Sequence, residues 1–190
     1  MSKPKLVFVL GSQAVGKSSV ARCLREKLPH TSMLDLSSSS IDTEHTMYKY
    51  HSEILDMFFQ TRHLGISWIC SRSFICNQVY SNLGYKDYDF RIKTDILTNH
   101  LDYLSDFYDL YLILLVATPD ELEIRLKRDK TEYVKFSVEN SLKQQEEYKK
   151  EIKRLANTTE NVKCFTIENK ELETTINTIM DLILTNMIGE

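Results

Sequence analysis

The chain has 190 residues, enough to bury one hydrophobic core without disulfides or a structural metal. Its 42% hydrophobic and 27% charged residues exclude a disordered chain, and no apolar run approaches the roughly 18 residues of a membrane span, so no membrane partner is expected. The net charge of −3, from 24 Lys and Arg against 27 Asp and Glu, supplies no overall basic field for a nucleic-acid backbone, and that partner class is set aside.

Leu6 to Leu10 (LVFVL) is a continuous apolar run, as expected of a strand covered on both faces. It is too short for a signal peptide. A glycine-bearing turn follows, then Ser18 to Leu28, where Val20, Leu24 and Leu28 recur at helical spacing until Pro29. Thr31 to Leu36 reads as a second strand. Thr43 to Leu64 reads as a long amphipathic helix with Met47, Tyr50, Ile54 and Phe58 on one stripe, broken at Gly65. Ile66 to Cys70 is a third strand, Lys86 to Asp89 a loop and Arg91 to Phe107 a helix. Tyr111 to Val116 (YLILLV) is a second strongly buried strand. After it, Thr118 suits an N-cap, Pro119 the first helical position, and Glu121 completes a capping box. Helical stretches at Glu123 to Lys130 and Ser137 to Leu155, a strand at Val162 to Ile167 and a helix at Glu171 to Leu184 complete the chain. Strands alternating with helices of this length require crossover connections. The fold class is α/β: three layers, with a mostly parallel five-stranded sheet flanked by helices, in one domain over residues 1–190.

The sharpest motif is Gly11 to Ser18, GSQAVGKS, which fits G-x-x-x-x-G-K-[ST] without mismatch between a buried strand and an amphipathic helix. Gly11 and Gly16 permit backbone conformations that a Cβ would forbid. The amides of Ser12, Gln13, Ala14, Val15, Gly16, Lys17, Ser18 and Ser19 then form a nest for phosphate oxygens at the positive end of a helix. Lys17 places a cation on the β and γ phosphates, and Ser18 supplies a hydroxyl to Mg²⁺. The fold expected is therefore that of a P-loop NTPase, with ATP and Mg²⁺ as cofactors.

Arg72 to Tyr80 (RSFICNQVY) resembles the thymidylate kinase signature Asp-Arg-Tyr-x-x-Ser-x-x-Ala-Tyr, with Arg72 on its arginine and Tyr80 on its last tyrosine. Asp109 to Arg125 is similar to that family's strand, proline turn and helix. The resemblance runs along the whole chain, and deoxynucleoside kinases share parts of it. It implies a mobile basic lid around residues 125–135, carrying Arg125, Lys127, Arg128 and Lys130, and a homodimer. Departures are Gln13 in place of an acidic residue in the loop, and Ser71 in place of the carboxylate before the arginine. Asp35 and the serine run Ser37 to Ser40 replace an Arg-Glu-Pro-Gly segment, and the stretch between the second and third strands is shortened.

Ligands of such sheets collect outside the carboxyl ends of the strands. Arg72 follows a strand directly and can clamp an acceptor phosphate or neutralise the transferring group. Asp35, near the end of the second strand, can hold Mg²⁺ through water or take a hydroxyl proton, with Asp42 as fallback. Asp109, before its strand, reads as a solvated turn residue. Arg128 can stabilise charge on the β and γ phosphates, and Arg125 is a further nucleotide-binding candidate. Arg62 and Tyr80 are candidates to reach the acceptor, each with a core or surface alternative. Five histidines lack metal-ligand spacing and four cysteines lack any pairing pattern, consistent with free thiols in the cytoplasm. Lys143 to Arg154 reads as a solvated helix face.

The sequence therefore predicts an enzyme, an ATP-dependent nucleotide or nucleoside kinase. Its site is Lys17, Arg72, Arg128 and Asp35, and its acceptor a deoxynucleoside monophosphate. A deoxynucleoside kinase with Asp35 as base is the alternative. A nucleotide-binding switch is the alternative of another class, although no Asn-Lys-x-Asp guanine-reading motif is present.

Overall fold

The computed structural model describes residues 3–37, 43–128 and 137–185. Five strands, β1 (Lys5–Gly11), β2 (Thr31–Asp35), β3 (Ser67–Ser71), β4 (Asp109–Val116) and β5 (Val162–Glu168), form one sheet in the order β2-β3-β1-β4-β5. Every pairing is parallel. Among the described residues the connections carry seven α-helices: α1 (Lys17–Lys27), α2 (Glu44–Thr61), α3 (Ile75–Asn82), α4 (Arg91–Tyr103), α5 (Pro119–Arg128), α6 (Val138–Thr158) and α7 (Leu172–Thr185).

The unbroken apolar runs of β1 and β4 divide by parity between two cores. Leu6, Phe8 and Leu10 join Leu110, Leu112 and Leu114 beneath α2, α3, α4 and α6. Val7 and Val9 join Tyr111, Ile113 and Leu115 beneath α1, α5 and α7. This period of two, buried on both sides, is why neither strand shows polar alternation.

Local chemistry sets the helix ends. Leu28 leaves helical geometry at φ −94° and ψ 124° because Pro29 follows it. At the start of α5, Thr118 Oγ1 accepts from the Glu121 amide at 3.3 Å, while Glu121 Oε2 accepts from the Thr118 amide at 2.9 Å. That is the capping box the sequence predicts.

Several local expectations change. The Thr43–Leu64 helix ends at Thr61 in a 3₁₀ turn, and the Arg91–Phe107 helix at Tyr103 in another. α3 is not foreseen: residues 75–79 are all buried, polar Asn77 and Gln78 among them, so no apolar stripe stands against a polar one. Asp109 is the first residue of β4, paired with Lys5 rather than a solvated turn. Lys143 to Arg154 is solvated on one face only. Outward Lys and Glu side chains pair along α6, whereas Ser141, Gln144, Gln145, Tyr148 and Glu151 are buried. Glu151 joins three helices by accepting from Arg91 (α4) at 2.5 and 2.8 Å, Arg154 (α6) at 3.0 Å and Asn82 (α3) at 3.0 Å. These cations hold its carboxyl below the usual range despite burial. No helix among the described residues is long and apolar enough to cross a membrane.

Candidate functional site

The carboxyl ends of β1, β3 and β2 lie side by side, with Ser71 in register with both Val9 and Asp35. All crossovers being parallel, the turns that follow these strands open on one edge. The turn after β1 is the phosphate loop. Gly11 has φ +139°, and a Cβ there would stand 2.5 Å from the Leu115 carbonyl oxygen. Gly16, at φ +95°, would place a Cβ 2.7 Å from Asn169 Nδ2. Ala14 also takes a positive φ, of 58°. The cradle is one that added methyl groups would fill, and the first turn of α1 leaves its leading amides without helical acceptors. These features fit a polyphosphate.

Lys17 is buried, and its ammonium donates to Gly11 O at 2.9 Å and Ser12 O at 2.6 Å. Burial, and secondly the neighbouring Arg72 guanidinium, lower its pKa to about 8. Asp35 and Cys76 oppose the shift. The loop thus contains a desolvated cation, a strong partner for phosphate.

Arg72 continues the β3 edge by donating its amide to Val9 O at 2.9 Å, yet has φ 78°. A non-glycine residue in that region is strained, which marks a position fixed by its surroundings. Its Nη1 donates to Asp35 Oδ1 at 2.5 Å, and both side chains keep partial access to solvent, at 33% and 44%. Beside them Ser71 is fully buried, with an Oγ that has no hydrogen-bond partner among the described residues. Ser18, in the first turn of α1, and Asp35 are the groups present that suit Mg²⁺. A phosphate-bound Mg²⁺ needs only one or two protein groups besides phosphate and water, so this set fits it. No group of three or more His, Cys, Asp or Glu suited to a metal occurs among the described residues.

The loop is also held from outside. Gln144 Oε1 accepts from the Gln13 amide at 3.0 Å, so that amide, expected in the phosphate nest, is turned to a side chain instead, and Asn169 Nδ2 donates to Val15 O at 2.6 Å. Arg125 Nη1 donates to the same Val15 oxygen at 3.1 Å, while its Nη2 donates to the carbonyls of Asn169 and Lys170. Its guanidinium therefore braces the loop from α5. The sequence marks neither Gln144 nor Asn169. Gln144 lies within a charged run, and Asn169 follows β5 with no motif around it.

Other sequence candidates fall differently. Arg62 is not brought to the site. It stacks 3.9 Å over the Phe59 ring and donates to Phe59 O at 2.6 Å, because the end of α2 leads to the amino end of β3. Tyr80, on α3, is largely buried, and desolvation pushes its hydroxyl up to about 12, with Cys76 adding and Arg72 opposing. Arg128 is the last residue of α5 and is exposed. Lys130, Asp42, Ser38 to Ser40 and most of the lid candidate lie outside the described residues. The four cysteines are free thiols.

Comparison of the sequence with protein-family models and with curated proteins finds no match. Solved structures do match in fold. A deoxyadenosine kinase from M. mycoides is 15% identical over 95% of this chain and 99% of its own, with a TM-score of 0.61. The YorR protein of Bacillus subtilis, in complex with phosphorylated GDP, is 16% identical over 98% and 99%, at 0.66. A thymidylate kinase from Ehrlichia chaffeensis is 11% identical over 96% and 100%, at 0.59. The chain therefore has the α/β P-loop fold found in deoxynucleoside and thymidylate kinases. That likeness extends along nearly its whole length.

Proposed function

We propose that the protein is an ATP-dependent kinase that transfers the γ-phosphoryl group to a hydroxyl of a deoxynucleoside, with Asp35 as general base. The observation that carries this reading is the Asp35–Arg72 pair across the carboxyl ends of β2 and β3, beside the Lys17 ammonium. A neutral hydroxyl must lose a proton as it attacks, and a carboxylate held at the acceptor side provides for that loss. The same carboxylate would repel a dianionic acceptor phosphate, and it already engages the arginine that would clamp one.

In this mechanism Asp35 takes the acceptor proton as the new P–O bond forms and the bond to ADP breaks, then returns that proton to water. Arg72 orients the carboxylate and offsets charge at the transferring group, while Lys17 turns from the loop carbonyls to the β and γ oxygens. In this reading Arg128, at the end of α5, adds positive charge at the transferring phosphates. Ser18 and, through water, Asp35 would hold Mg²⁺, which would supply neutralisation of phosphate charge.

A deoxynucleoside monophosphate acceptor is the second reading, supported by the likeness to a thymidylate kinase. Such an acceptor brings its own anionic nucleophile and needs no base. ADP release measured with Mg²⁺-ATP across deoxynucleosides and their monophosphates separates the two. Turnover on deoxynucleosides that falls about 100-fold or more in Asp35→Asn, with ATP still bound, supports the first reading. Turnover on monophosphates alone, unaffected in Asp35→Asn, overturns it. ATP binding without acceptor-dependent turnover leaves a switch.

A further inference from the structure

α6 carries two adjacent buried glutamines, Gln144 and Gln145, at 1% and 4% exposure. Long polar side chains are seldom so enclosed without a partner for the amide. Gln145 brackets one residue of the turn after β4: its Oε1 accepts from the Ala117 amide at 2.6 Å, and its Nε2 donates to the Ala117 carbonyl at 3.1 Å. Gln144 reaches the phosphate loop instead, accepting from the Gln13 amide at 3.0 Å across 131 residues of sequence. The loop carbonyls of Gly11 and Ser12 are meanwhile held by Lys17. On its outer side, the orientation of the Gln13 peptide thus depends on one side chain of α6. Turning that peptide would move Ala14, which sits at a positive φ, and with it the nest.

We propose that Gln144 is a positioning residue of the phosphate loop, whose side-chain carbonyl anchors the Gln13 amide on the outer side and so holds the loop in the shape whose remaining amides receive the triphosphate. The inference rests on the ATP-site reading above. Without that acceptor the free loop relaxes to pair the Gln13 amide elsewhere, and binding must then restore the cradle at a cost in affinity.

The test measures ATP affinity by calorimetry, without acceptor, together with thermal midpoints, for the wild type, Gln144→Met, Gln144→Asn and Gln145→Met. Methionine keeps the volume and removes the acceptor, whereas asparagine keeps the amide but shortens its reach. Both Gln144 variants are expected to bind ATP about tenfold more weakly. Gln145→Met is expected to lose at least as much thermal stability while its ATP affinity stays within about twofold of wild type. Wild-type affinity in a folded Gln144→Asn or Gln144→Met overturns the proposal. So does an equal loss of affinity in Gln145→Met, which would make both glutamines structural. A wild type that fails to bind ATP overturns the ATP-site reading itself, and is thereby distinguished from failure of this proposal alone.

Discussion

Replacing Lys17 by methionine should stabilise the ligand-free protein while abolishing ATP binding. The ammonium sits in a buried loop with a pKa lowered from 10.5 to about 8. At pH 7 the folded state therefore carries a charge that it would shed more readily than the unfolded chain, and a difference of about 2.5 units corresponds to about 3 kcal/mol. Methionine removes that cost but strands the Gly11 and Ser12 carbonyls that the ammonium now serves, at about 1 kcal/mol each. The net gain is about 1–2 kcal/mol, or a rise of about 2–8 °C in the thermal midpoint for a chain of this size. The pH dependence is specific. Below pH 8 Lys17 is charged in both states and its penalty is complete. Between 8 and 10.5 the folded state releases its proton first, so wild-type stability climbs relative to the variant and passes it by pH 10. Denaturant unfolding of both proteins at pH 7 and at pH 10, without nucleotide, checks this. A Lys17→Met protein less stable than wild type at pH 7, or one that keeps its advantage undiminished at pH 10, would refute the argument that the loop stores an unfavourable charge for its ligand.

Two further outcomes follow from the geometry. Gly16→Ala should lose ATP binding and about 1–3 kcal/mol of stability, measured by calorimetry and denaturant unfolding, because its Cβ would meet Asn169 Nδ2 at φ +95°. His51, buried and bonded to Asn77 at 2.9 Å, has its pKa lowered to about 4 by desolvation. It stays neutral in the fold while the unfolded chain takes up a proton below about pH 6.5, so its contribution is intact above that pH and lost as pH falls towards 4. The loss has a slope of about 1.4 kcal/mol per unit. His51→Gln, which keeps a hydrogen-bonding side chain, should flatten the stability profile between pH 6.5 and 4.5.

What the sequence disclosed, and what it hid, divides along physical lines. The strands β1 and β4 are legible because burial on both faces leaves an uninterrupted apolar run. The phosphate loop is legible because its two glycines have little freedom to be anything else. The Thr118–Glu121 box is legible because both its bonds span three residues. α3 was hidden by its own burial, which encloses polar Asn77 and Gln78 together with apolar neighbours and so removes the contrast from which a helix is usually read. α6 is legible as a helix, but its buried face was hidden the opposite way: the inner stripe of Ser141, Gln144, Gln145 and Glu151 is polar, so the buried side looks like the wet one. Two braces on the loop, Gln144 and Asn169, and the bracing role of Arg125, a residue the sequence marks only for the nucleotide, were out of reach for a third reason. Their partners are main-chain groups 110 or more residues away, and main-chain groups carry no sequence.

The strand order has a consequence for a chain emerging from the ribosome. β1 and β2 are made first but never touch, since β3 lies between them. No sheet can start until β3 has been synthesised, and β1 waits for β4 to cover its other edge. The phosphate-binding motif is complete within the first eighteen residues, yet its braces arrive with Arg125, Gln144 and finally Asn169. A nascent chain carries the nucleotide-binding signature long before it has the means to shape it. Competence to hold a triphosphate should therefore appear late and abruptly in synthesis, when the β5–α7 turn clears the exit tunnel.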